Sequence, residues 1–110
     1  MSTFPAFFDT LSKLEIPADV ARAWVMTDNA QVLFYEVHEG GANDDLADGA
    51  EWGLILEGTV EITIDGVTTS YGKGESYFIP GGVPNRKYNH PGTVGIDVFE
   101  QSDRFPDVVD

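Results

Sequence analysis

The segment Val60-Glu61-Ile62-Thr63-Ile64-Asp65-Gly66-Val67-Thr68-Thr69 alternates apolar and polar residues on both sides of an Asp-Gly pair. Successive side chains of an extended chain point to opposite faces, so this alternation specifies strands with one buried face. Asp-Gly accepts the positive φ angles of a two-residue type I′ turn. A hairpin is therefore written into the middle of the chain. The flanking sequence has the same character. Candidate strands are 22–27, 31–38, 51–57, 59–64, 67–71, 75–79, 85–88 and 94–100. They are rich in Val, Ile, Thr, Phe and Tyr and are separated by clusters of Gly, Asn, Asp and Pro. Many short strands at this spacing predict an all-β sandwich or barrel.

Three regions follow from the pattern. Residues 1–20 form an N-terminal arm, in which Phe4, Phe7, Phe8, Leu11 and Leu14 recur at the helical period. A short N-terminal helical segment is expected around 5–13, ending before Ile16-Pro17. Residues 21–100 form the barrel, with 40–50 as its longest loop. Residues 101–110 are a polar tail, tacked down by Phe105. A chain of 110 residues with 42% apolar content fits one domain with its own core.

Six basic against nineteen acidic residues give a formal charge of −13. Phosphate backbones and anionic membrane surfaces repel such a chain, so neither nucleic acid nor membrane is an expected partner. The chain contains no cysteine, which excludes disulfides, thiolate metal sites and thiol nucleophiles. No apolar run approaches the ~18 residues of a membrane span. No secretory signal is legible in Met1 to Thr10, and the expected location is cytoplasmic.

Two segments narrow the choice among all-β folds. One runs from Glu51-Trp52-Gly53 through Gly58 to Asp65-Gly66. The other is Gly74-Glu75-Ser76-Tyr77-Phe78-Ile79-Pro80-Gly81-Gly82-Val83-Pro84-Asn85-Arg86-Lys87-Tyr88-Asn89. Together they resemble the two signature motifs of the cupin superfamily over residues 30–100. Glu51 and Gly58 keep the spacing of the first motif. Gly74, Pro80, Gly82 and Asn89 keep that of the second. The resemblance implies a small, RmlC-like cupin barrel: a double-stranded β-helix, or jelly roll, that tends to form homodimers. The matched residues also make physical sense alone. Gly58 and Gly82 suit tight turns, and Pro80 ends a strand because it has no amide to donate.

One departure from the motifs bears on function. Metal-binding cupins hold their ion with three histidines and the glutamate of these motifs. Here the first two histidine positions fall on Asp45 and Ala47, on Asp44 and Leu46, or on Leu46 and Asp48, depending on the end from which the loop is counted. The third falls on Asn85. Only Glu51 remains. His38 and His90 match no motif position. Glu51 with Asp44 or Asp48 and the Asn85 carbonyl would form an all-oxygen set, suited to Ca²⁺, Mg²⁺ or Mn²⁺.

The expectation is therefore a barrel with no cofactor and no histidine-held metal, binding a small polar molecule. Glu51, Asn85, Tyr35, Tyr88, Asp97 and Phe99 are its candidate ligand-binding residues. Asp97 interrupts the apolar strand Gly95-Ile96-Asp97-Val98-Phe99, where a carboxylate must be hydrogen-bonded, exposed or functional. A buried Glu51 with a raised pKa could act as an acid or base. Whether the barrel is an enzyme stays open at this point. The competing readings are a metal-dependent isomerase, lyase or dioxygenase using Glu51 with atypical oxygen ligands, and a barrel filled by its own side chains.

Overall fold

The computed structural model describes residues 3–106. Residues 1–2 of the arm and 107–110 of the tail lie outside the described residues. Among the described residues, ten strands form two antiparallel sheets. The six-stranded sheet has the order β1 (Ser12–Lys13), β2 (Ala21–Thr27), β3 (Gln31–Val37), β10 (Val94–Phe99), β5 (Glu51–Glu57) and β8 (Ser76–Ile79). The four-stranded sheet has the order β4 (Gly41–Asp45), β9 (Asn85–Asn89), β6 (Thr59–Ile64) and β7 (Val67–Gly72). This is the jelly-roll barrel that the two motifs imply.

The central hairpin forms as expected. Ile64 pairs with Val67, and Asp65 and Gly66 adopt φ of 50° and 76°. Gly58, at φ 84°, joins β5 to β6, and a Cβ there would press on the Thr93 backbone. Pro80 directly follows β8.

Two expectations are corrected. Among the described residues, the short helical segment expected around 5–13 is not an α-helix. It is one 3-10 stretch, Ala6–Thr10, followed at once by β1, which pairs with the edge of β2. Its aromatic side chains pack edge-on against Trp24 and Phe34 of the sheet, and the sheet edge recruits Ser12 and Lys13 before an α-helical register can continue. The loop 40–50 contains β4, paired with β9 from Gly41↔Asn89 to Asp45↔Asn85. Its sequence, Gly-Ala-Asn-Asp-Asp, has low strand propensity, and the strand is made by backbone pairing at an edge rather than by side-chain burial.

Ile55, Tyr77 and Ile79 of one sheet pack against Val60 and Ile62 of the other. Toward β2 and β3 the inner face carries Ala23, Val25, Leu33, Tyr35 and Phe99, and Leu14, Ile16 and Phe105 cover it. Phe105 is fixed there by the Gln31 amide. Gln31 Oε1 accepts from the Phe105 N–H at 2.7 Å, and Gln31 Nε2 donates to the Phe105 carbonyl at 3.1 Å. On the outer face, Trp24 is covered by Phe4 and Phe8, whose rings lie 5.6 and 6.0 Å from it.

Candidate functional site

Alternation along five strands brings a polar cluster into the barrel. Glu51 opens β5 and faces inward with Gly53 and Ile55. Asn85 and Lys87 face inward from β9, Tyr77 from β8, Asp97 and Phe99 from β10, and Tyr35 from β3. Asp97, Gly53 and Tyr77 are paired in one row across β10, β5 and β8. Gly53 has no side chain, so the groups on either side of it meet. The Tyr77 hydroxyl donates to Asp97 Oδ1 at 2.5 Å and lies 3.4 Å from Glu51 Oε2. A Cβ at Gly53 would collide with both the Tyr77 ring and Asp97. Gly95 makes room for the Tyr35 ring in the same way.

Lys87 crosses from the opposite sheet. Its ammonium donates to Glu51 Oε1 at 2.6 Å and to Oε2 at 2.7 Å, and the two side chains are only 10% and 5% exposed. Buried charges survive in this form, paired and hydrogen-bonded. Asp97 is pushed up to about 7, first by burial and then by the Glu51 carboxylate, against the opposing pull of Lys87 and Tyr77. Burial, Asp97 and Glu51 raise Tyr77 and Tyr35 far above the usual phenol value, so both remain hydroxyl donors.

A cavity of about 220 Å³ reaches this cluster. Leu14, Leu33, Phe99 and Phe105 give it apolar walls, and Tyr35, Lys87, Asp97 and Arg104 its polar end. Arg104 donates to Asp45 Oδ1 at 2.8 Å, and its guanidinium lies 5.6 and 5.1 Å from the Phe99 and Phe105 rings. A larger depression of about 510 Å³ lies beside Asp44, Thr63, Asn85 and Arg86. It is open to solvent, and its charges pair on the surface, Arg86 with Asp44 at 3.1 Å.

Of the sequence candidates, Tyr35, Asp97 and Phe99 line the cavity, and Glu51 stands behind Lys87. Asn85 is buried. Its Nδ2 donates to the Val83 carbonyl, and its Oδ1 has no hydrogen-bond partner among the described residues. Tyr88 does not join them. It is exposed on the other face of β9, edge-on to His90. Lys87 and Tyr77 were missed. The signal for Lys87 was parity: it stands two residues from Asn85 on the same strand and shares its face.

The residues present do not fit the metal that the motifs imply. No histidine enters the barrel: His38 is exposed, and His90 pairs with Glu61 at 2.6 Å. The single motif carboxylate is engaged at both oxygens by an ammonium. Asp44 and Asp48 are exposed, and the described residues contain no grouping of His, Cys, Asp and Glu able to hold an ion. The described residues also include no helix long and apolar enough to cross a membrane.

Comparison with known proteins agrees with this architecture. The EutQ protein of Clostridium difficile superposes with a TM-score of 0.64 at 26% identity, over 80% of this chain and 67% of that one. An RmlC-like cupin from Shewanella frigidimarina gives 0.74 at 18% identity over 96% of both chains. A Bacillus subtilis oxalate decarboxylase variant gives 0.74 at 18% identity, covering 94% of this chain and 30% of that one. A search of curated proteins returned no match. The family model described as Cupin domain matches residues 32–93, over half of the chain. With that match and the motif residues Glu51, Gly58, Gly74, Pro80, Gly82 and Asn89 on two antiparallel sheets, the chain belongs to the cupin family.

Proposed function

We propose that this cupin binds a small polar molecule inside the barrel, with the Glu51–Lys87 pair in place of a histidine-held metal. The cavity of about 220 Å³ that ends on Lys87 and Asp97 carries this reading. Ligand sites combine apolar walls with a few fixed polar groups, and this one has Tyr35, Lys87, Asp97 and Arg104 at one end of an apolar chamber. A barrel filled by its own side chains would leave no such space. The test is a thermal-shift screen of small amines, carboxylic acids, alcohols and sugars. Stabilisation by one class, lost when Ala23→Leu fills the chamber, supports the reading. A flat response across the panel sinks it.

The homodimer is part of the same proposal. Phe78, Trp52, Val98, Val32 and Met26 are paired in one row across β8, β5, β10, β3 and β2. Trp52, Phe78 and Met26 are 41%, 62% and 49% exposed. This uncharged strip on a strongly acidic molecule suits a second copy of itself.

A further inference from the structure

The charged groups at the polar end of the cavity do not balance. Three carboxylates belong to this end: Asp97 from β10 lines it, and Glu51 from β5 and Asp45 from β4 pair with its cations. Two cations face them, Lys87 from β9 and Arg104 from the segment after β10. Lys87 is committed to Glu51, and Arg104 to Asp45. Among the described residues no ion pair reaches Asp97. It has the Tyr77 hydroxyl and lies beside the Glu51 carboxyl. Tyr35 from β3 completes the surroundings with a second phenol. A buried carboxylate with no cation of its own either holds a proton or takes a cation from outside. Asp97 is also the carboxylate that lines the cavity, whereas Glu51 stands behind Lys87.

Resting on the small-molecule reading above, we propose that the ligand is a small organic ammonium compound, its positive head on Asp97 and its apolar body between Leu33, Phe99 and Phe105. The chamber supplies both halves of such a molecule. Its volume of about 220 Å³ exceeds the ~150 Å³ that holds a benzene ring, which leaves room for about six to eight heavy atoms. Arg104 does not oppose the head, because Asp45 matches its charge at 2.8 Å. The net charge of −13 raises the local concentration of cations around the molecule. The ammonium replaces the proton on Asp97, so binding releases one proton over the range in which Asp97 is otherwise protonated. Asp97 stands at about 7 in the free protein, which places that range around neutrality.

The experiment compares three probes of one size by calorimetry: n-pentylammonium, 1-pentanol and pentanoate, at pH 8 and pH 6. The amine is expected to bind at least tenfold tighter than the other two at pH 8. Its affinity should fall roughly tenfold at pH 6, as expected for a site titrating near 7. Asp97→Asn should remove the preference for the amine over 1-pentanol. The wild-type comparison and its pH dependence decide the matter even where the variant folds poorly. Pentanol or pentanoate binding as tightly as the amine at pH 8, or amine affinity unchanged at pH 6, overturns the inference and leaves the small-molecule reading standing. Failure of all three to bind overturns it too, and the broader screen then decides the parent reading.

Discussion

The Lys87 ammonium lies 2.6 and 2.7 Å from the two carboxylate oxygens of Glu51, and this bridge joins the two sheets through the middle of the barrel. Removing one partner strands the other charge in a buried site. Lys87→Met or Glu51→Leu alone should cost about 3–5 kcal/mol of folding stability. The double variant Glu51→Leu/Lys87→Met should recover most of that loss, because replacing both charges removes the desolvation penalty as well. Urea denaturation of the three variants measures the difference. Additive losses would refute the coupling.

Chelation should change nothing. With both Glu51 oxygens held by Lys87, dialysis against EDTA is expected to leave the melting temperature unmoved, and added Mn²⁺, Fe²⁺ or Ni²⁺ should not raise it. A rise of several degrees with one ion, abolished by Glu51→Gln, would count against the assignment.

Asp97 makes stability depend on pH in an unusual direction. Its carboxyl moves from an ordinary value of 3.8 to about 7 on folding. Between those values the folded protein keeps a proton that the unfolded chain has released. Stability contributed by this group therefore falls as pH rises from about 4 to about 7, by at most about 1.4 kcal/mol per unit, and levels off above. Asp97→Asn should flatten that slope relative to the parent. Equal slopes from pH 4.5 to 7.5 in denaturation curves would show that the proton is held elsewhere.

Gly53→Ala places a methyl group against the Tyr77 ring and the Asp97 carboxyl. Overpacking of this kind costs about 1–3 kcal/mol. The same change in a Tyr77→Ala background should cost far less, which a double-mutant cycle reads directly.

The outer row of the six-stranded sheet predicts an assembly. Light scattering should give twice the chain mass of 12.0 kDa. Trp52→Lys, at the centre of the row, should shift the species to a monomer with its barrel intact by circular dichroism. A monomeric parent protein would refute the proposed interface.

How much of this was legible in the residues depended on periodicity. The hairpin 60–69, the positive φ at Asp65 and Gly66 and the stop at Pro80 are local events, and local chemistry predicts them. β4 was not legible, because Gly41–Asp45 is a strand by virtue of the edge of β9 and not of its own side chains. The N-terminal aromatics read as helical because Phe4, Phe8 and Leu11 share a face. That face lies on Trp24 and Phe34 instead, a tertiary fact. In the site, Glu51 stood out by its place in the first motif, and Asp97 as a carboxylate in an apolar strand. Lys87 did not, since its parity with Asn85 gives the face it shares but not the glutamate of the other sheet that it meets. Tyr88 was misplaced by one residue of parity, the error to which strand arguments are most exposed.

The gap at Gly53 also fixes an order of events for any lineage that inherits this barrel. A side chain can be accepted at position 53 after position 77 has shrunk, whereas the reverse sequence passes through a jammed intermediate. Drift at these two sites is therefore directional, and relatives that keep an aromatic residue at the Tyr77 position should keep the glycine as well.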